Sequence, residues 1–172
     1  MATFIALLRA VNVGGTGALP MADLRRLCAE AGFLAPQTCL TSGNVVFESP
    51  DDAVAVKAAL EQRLRQHMGK AVDVLVRSAA EMEAVLAGNP FPGAAPNRTV
   101  AIFLDHPPAA DALDAATGGR GEELRLGQRE IYVHYGDGMA RSKLHVPAAE
   151  RGTARNMNTV AKLVALAGGK AG

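Results

Sequence analysis

The feature that most constrains the fold is the spacing of apolar residues between Thr3 and Arg77. "TFIALLR", which starts at Thr3, is a near-continuous apolar run, the form taken by a strand covered on both faces. After the Gly-rich "AVNVGGTGAL", Pro20 suits the first position of a helix. In that helix Leu24, Leu27, Cys28 and Ala31 fall on one face and Gly32 marks the end. "QTCL" and "VVFES" read as two short strands separated by the turn signal "TSGN". Asp51 or Asp52 can cap a second helix, in which Val56, Leu60, Leu64 and Met68 recur every fourth residue until Gly69. "VDVLVR" alternates as a fourth strand. Strand, helix, strand, strand, helix, strand is the order of a ferredoxin-like βαββαβ unit.

Ser78 and Glu81 form a capping-box signature for a further helix, "AAEMEAVLA". The Pro- and Gly-rich "GNPFPGAAPNR" follows. It separates a first subdomain, residues 1–88, from a second, smaller α+β subdomain, residues 89–172. In the second, "TVAIFL" reads as a strand, "PPAADALDAA" as a short helix, and "EELRL" with "REIYVHY" as a hairpin around Gly127. From Gly136 onward the pattern is a loop and one or two helices. This half echoes the first without an obvious last strand, as in a degenerate duplication of pattern rather than of residues. The expected class is α+β. A chain of 172 residues, 49% of them hydrophobic, can build one domain or two closely packed halves with a real core.

Charge narrows the function classes. Lys and Arg total 18 against 17 Asp and Glu, so a net charge of +1 provides no general field to draw in nucleic acid or an anionic membrane. Aromatic residues make up 4% with no Trp, which argues against a surface that binds single strands by stacking bases. "MATFIALLRAV" has no basic segment before its apolar run, no small-residue cleavage site after it, and too few residues to span a bilayer, so a cytoplasmic protein is expected. Cys28 and Cys39 read as core thiols rather than a disulfide. His67, His106, His134 and His145 show no metal-ligand spacing, and neither a P-loop nor a dinucleotide fingerprint is present, so no metal and no cofactor are expected.

Two polar clusters stand out. In a ferredoxin-like unit the loop leaving strand one and the turn joining strands two and three lie at the same end of the sheet. Strands about 4.8 Å apart bring Arg9 and Asn12 within side-chain reach of Ser42 and Asn44. Gly14, Gly15 and Gly17 precede the Pro20 helix, whose first-turn N–H groups can face an anion. Ordinary turn chemistry and hydration account for the same residues. The second cluster is "ARSKL" with "ARNMNT". Asn156 suits an N-cap, accepting a backbone N–H from Asn158 or Thr159. Arg155, Asn158 or Thr159, and Lys162 then form one polar stripe at the helix end that repels cations. Arg141, Ser142 and Lys143 add donors suited to phosphate or carboxylate. A solvated basic face with an Asn cap is the bland alternative.

"LLRAVNVGG", "SGNVVFES", "GDGMARSKL" and "RNMNTVAKL" resemble, in the same order, the recurrent blocks of the bacterial domain of unknown function 1697 family, over about Phe4 to Leu166. The resemblance implies a small α+β protein with a ferredoxin-like first subdomain, and no assigned activity. The family pattern has Gly-Ile before the first Asn and a Trp between the two late Asn. Here those places hold Ala10, Val11 and Met157. Met can fill the apolar slot but lacks the ring and the N–H. Arg9, Asn12, Ser42, Asn44, Ser142, Arg155, Asn156, Asn158 and Thr159 match.

The leading expectation is a site for a small anionic ligand, phosphate- or carboxylate-bearing. Arg9, Arg141, Lys143 and Arg155 would supply charge, while Asn12, Ser42, Asn44, Asn158 and Thr159 would orient the ligand. His145 and Tyr135 are conceivable acid–base groups, but no nucleophile set, paired carboxylates or metal cluster indicates a reaction. The alternatives are an RNA-binding module, with Phe4 and Phe47 on the relevant strands, and a protein-interaction or structural role. The last predicts Arg and Asn side chains bound to backbone carbonyls, with no open pocket.

Overall fold

The computed structural model describes residues 1–13, 18–136 and 142–170. The chain divides into two units, Met1–Glu83 with Lys162–Gly172, and Ala84–Ala161. It is an α+β protein with two four-stranded antiparallel sheets and four α-helices among the described residues.

The first unit runs β1 (Ala2–Leu8), α1 (Met21–Glu30), β2 (Leu34–Thr38), β3 (Asn44–Ser49), α2 (Ala53–Met68) and β4 (Val74–Ser78). Its sheet has the order β2-β3-β1-β4 with every neighbouring pair antiparallel, an arrangement compatible with the expected ferredoxin-like unit. One face of the sheet presents Phe4, Ala6, Leu8, Val45, Phe47, Val74 and Val76 to the buried Leu24, Leu27 and Cys28 of α1 and Val56, Leu60 and Leu64 of α2. Phe33 stacks on Phe47 with ring centroids 4.2 Å apart. Ile5, Leu7, Val46, Leu75 and Arg77 alternate with these residues and are buried too. Burial on both faces explains why β1 reads as a continuous apolar run.

Local chemistry sets the helix ends. Asp52 Oδ1 accepts the Ala55 N–H at 2.8 Å, and Gly69 closes α2 in the left-handed region at φ 73°. Pro20 is the N-cap of α1 rather than its first residue, and its carbonyl accepts the N–H groups of Asp23 and Leu24. Helix α3 (Ala79–Ala87) follows β4 directly through the expected capping box. The Glu81 N–H donates to Ser78 Oγ at 3.1 Å, and the Ser78 N–H donates to Glu81 Oε1 at 2.8 Å.

The second unit contains β5 (Thr99–Phe103), β6 (Glu123–Leu126), β7 (Glu130–His134) and β8 (Thr153–Asn156), again antiparallel, in the order β6-β7-β5-β8. Its β8 is the last strand that the sequence did not reveal. The buried positions of "TARN" are Thr153 and Arg155, so no apolar alternation marks it. The helix expected in "PPAADALDAA" is only a 3-10 turn, Ala112–Ala115. Asp111 makes no capping bond, and Pro107 and Pro108 have no N–H to donate. After Gly136 come a further 3-10 turn, Pro147–Ala149, and then α4 (Met157–Lys170), whose residues from Lys162 belong to the first unit. The core of this unit is Val100, Ile102, Leu104, Ile131, Val133 and Val146, bordered by half-buried Leu113, Leu124, Leu126, Tyr135 and Leu144. No helix among the described residues is long and apolar enough to cross a membrane.

Candidate functional sites

The exit of β1 and the β2–β3 turn meet as the strand order requires, since the Leu8 N–H donates to Gly43 O at 2.8 Å. Asn12 ties them together. Its Oδ1 accepts the Leu19 N–H at 2.7 Å, while Nδ2 donates to Leu19 O at 2.9 Å and to Thr41 O at 2.7 Å. An amide has two N–H bonds to donate, and both here go to backbone carbonyls. Asn44 is fully buried and does the same work inside the turn, donating to Cys39 O at 2.7 Å and to Ser42 Oγ at 3.0 Å. Arg9 is half-buried at the end of β1, where its N–H donates to Asp73 O at 3.0 Å. Gly14 and Gly15 lie outside the described residues.

The same corner concentrates unusual backbone. Ala10, Asn12 and Leu40 have φ of 58°, 55° and 62°. At Gly43, with φ of 90°, a Cβ would meet Val11 Cγ2 at 2.6 Å and Leu8 Cβ at 2.9 Å. Asn tolerates the left-handed region, but an Ala there costs roughly 1–2 kcal/mol, which gives a physical reason for Gly at the position held here by Ala10. Val11, in the place of Ile, is buried in the core. Phe4 and Phe47 also belong to that core, so their rings are closed to base stacking.

In the second unit Asn156 is the predicted cap, its Oδ1 accepting the Thr159 N–H at 2.9 Å. The predicted stripe does not form. Arg155 belongs to β8, not to the helix, and is buried, with Nη1 donating to Thr153 Oγ1 at 2.8 Å and to Ala154 O at 3.0 Å. Burial pushes its pKa down to about 10. Thr159 is buried, whereas Asn158 and Lys162 are exposed. Met157 is buried in the slot where the family carries Trp. Ser142 is engaged within the chain, its Oγ donating to Glu122 Oε1 at 2.8 Å and accepting the Leu144 N–H at 3.2 Å. Lys143 is exposed, and Arg141 lies outside the described residues.

The second unit also holds a cavity of about 180 Å³, lined by Ile102, Tyr135, Leu144, Val146, Ala149, His145 and Glu150. His145 Nε2 lies 3.2 Å from Glu150 Oε1, with both side chains more than half exposed at the rim. The Tyr135 phenol is shifted upward by burial and, secondarily, by the charge of Glu122. Glu122 is itself shifted downward by the Ser142 hydroxyl and the Arg120 N–H. Tyr135 and His145 were candidates from sequence. Glu150 was not, because it follows a 3-10 turn too short to show any periodicity.

These features define a small α+β protein of two similarly ordered sheets, with one polar corner braced by asparagines and one open, mixed-polarity cavity. The chain belongs to the family described as "Protein of unknown function (DUF1697)", whose model matches residues 1–132. This bears out the resemblance carried by the first two sequence blocks. The solved structure of the conserved bacterial protein SP0830 from Streptococcus pneumoniae is similar, with a TM-score of 0.80 at 22% identity, covering 96% of this chain and 98% of that one. At that identity the likeness is one of fold. No curated protein matches the sequence.

Proposed function

We propose that the protein binds a small anionic molecule, phosphate- or carboxylate-bearing, through the first turn of α4, with the exposed Asn158 as a polar contact. The observation behind this reading is how the turn is capped. Asn156 Oδ1 takes the Thr159 N–H. A helix start presents four N–H groups that lack intrahelical partners and carries the positive end of the dipole. Asn158, on that turn, is exposed. In the first unit, by contrast, Asn12 and Asn44 spend their donors on in-chain acceptors.

The test is a thermal-shift titration with inorganic phosphate, nucleotides, sugar phosphates and small carboxylates on wild type and Asn158→Asp. An acidic residue in a first helical turn favours the helix while repelling an anion, so this variant separates binding from folding. A ligand at 100 times its dissociation constant stabilises the wild type by roughly 2.7 kcal/mol, and Asn158→Asp loses that gain. An unchanged gain in the variant moves the anion elsewhere.

A further inference from the structure

We propose that the cavity of the second unit is a separate binding site for a small amine with an apolar body about the size of one six-membered ring. Its floor and walls are Ile102, Leu144, Val146 and Ala149, and its polar groups are Tyr135, His145 and Glu150. An apolar pocket with a few convergent polar groups is the usual form of a small-molecule site. Size sets the first limit on the occupant. At about 180 Å³ the cavity is slightly larger than the roughly 150 Å³ known to hold benzene.

The backbone on the polar side is hydrogen-bonded within the chain. Thr117 and His145 exchange backbone hydrogen bonds of 2.9 and 2.8 Å, and the Ala149 N–H donates to Val146 O at 2.9 Å within the 3-10 turn. Ser142 joins the Leu144 N–H to the Glu122 carboxylate. A rim held this way loses little freedom on binding.

Charge selects the head group. One carboxylate, Glu150, lies in the cavity's lining. His145 Nε2 lies 3.2 Å from it, and Lys143 is exposed and outside the lining. A protonated amine can replace the imidazole as partner of the Glu150 carboxylate and place its ring over the apolar floor. A carboxylate in the same place would face Glu150.

Benzylamine, benzyl alcohol and benzoate share one ring and differ in head-group charge. Titrated into the full chain and followed by amide chemical shifts, benzylamine is expected to move the signals of Tyr135, Leu144, His145 and Ala149 and to saturate at least tenfold earlier than benzoate. Glu150→Gln should bring benzylamine down to the level of benzyl alcohol and leave benzyl alcohol unchanged, whereas Ala149→Leu fills the cavity and abolishes binding. Asn158→Asp should leave benzylamine untouched, which separates this site from the one proposed at α4. Benzoate binding as tightly as benzylamine, no shift with any probe, or benzylamine affinity indifferent to Glu150→Gln overturns the proposal. The Glu150→Gln comparison decides even if Ala149→Leu fails to fold.

Discussion

The two units use one strand order with different covers. Ile5 pairs with Val46 and Arg77 in the first sheet, and Ala101 pairs with Tyr132 and Arg155 in the second. Arg77 and Arg155 therefore occupy matching places. Both are buried, and both donate Nη1 to the carbonyl of the preceding residue, at 3.1 and 3.0 Å. Asn44 and Glu130 correspond in the same way, as buried polar residues at the start of the third strand. One difference lies between the first and second strands, where the first unit has α1 and the second the 3-10 turn Ala112–Ala115; another lies between the third and fourth. There the first unit has α2, a full helix that closes its core with Val56, Leu60 and Leu64. Among the described residues of the corresponding connection, the second has the 3-10 turn Pro147–Ala149. That connection supplies every lining residue of the cavity except Ile102. A sheet can keep its register with a thin cover, and the space left over becomes available to a ligand.

The comparison breaks if the second core is as tightly packed as the first. Leu60→Ala, at a fully buried site of α2, should cost about 2–5 kcal/mol in urea unfolding. Val146→Ala borders existing free space and removes two methyl groups, so it should cost only about 1–2 kcal/mol. Equal losses, scaled to the groups removed, would mean that the cavity does not relax the packing around it.

Legibility in the sequence follows the same division. In the first unit most elements were legible, because the buried stripes of β1, α1 and α2 are apolar. By contrast β2, expected at "QTCL", lies at Leu34–Thr38 with no buried residue, and the N-terminus of α1 has no side-chain cap. Leu60 and Leu64 gave the α2 stripe, Gly69 its end, and Ser78 with Glu81 the start of α3. In the second unit, β8 buries Thr153 and Arg155, so its inward positions look polar, and the Asp111 turn never acquires a cap. The polar corner was located correctly in space, with Asn12 reaching the β2–β3 turn. Its partners were not readable, since a carbonyl such as Leu19 O leaves no trace in residue type. The cavity was not readable for a related reason: Ile102 and the residues between Tyr135 and Glu150 that line it are far apart in the sequence.

Titration distinguishes the two cores next. Burial pushes the Cys28 thiol from 9.0 up to about 12, and burial with the charge of Glu130 pushes the Tyr132 phenol from 10.0 to about 12. In each case the folded state holds its proton to higher pH than the unfolded chain. The stabilisation is complete below the unfolded pKa and is lost as pH rises toward the folded one. Stability should therefore begin to fall near pH 9.0, by up to about 1.4 kcal/mol per pH unit as the thiol of the unfolded chain ionises. Cys28→Ala should remove this first decline, whereas Tyr132→Phe should alter only the part above pH 10.0. A decline near pH 9.0 that survives Cys28→Ala would assign it to another group.

The finest comparison is between the two strand-to-helix joints. Ser78 ends β4 and caps α3, and Asn156 ends β8 and caps α4, each accepting the N–H three residues on, at 3.1 and 2.9 Å. If the joints are equivalent in energy as well as in place, Ser78→Ala and Asn156→Ala should each cost about 1 kcal/mol. The double variant should cost their sum within about 0.5 kcal/mol. Ser78 has the additional return bond from its N–H to Glu81, but that bond survives removal of its hydroxyl, so it gives no reason for a larger loss. A loss at Asn156 well above 1 kcal/mol would show that its amide makes a structural contribution beyond the cap. A loss near zero would leave α4 held by its buried Met157, Val160 and Leu163 alone, and the likeness of the joints would be one of geometry only.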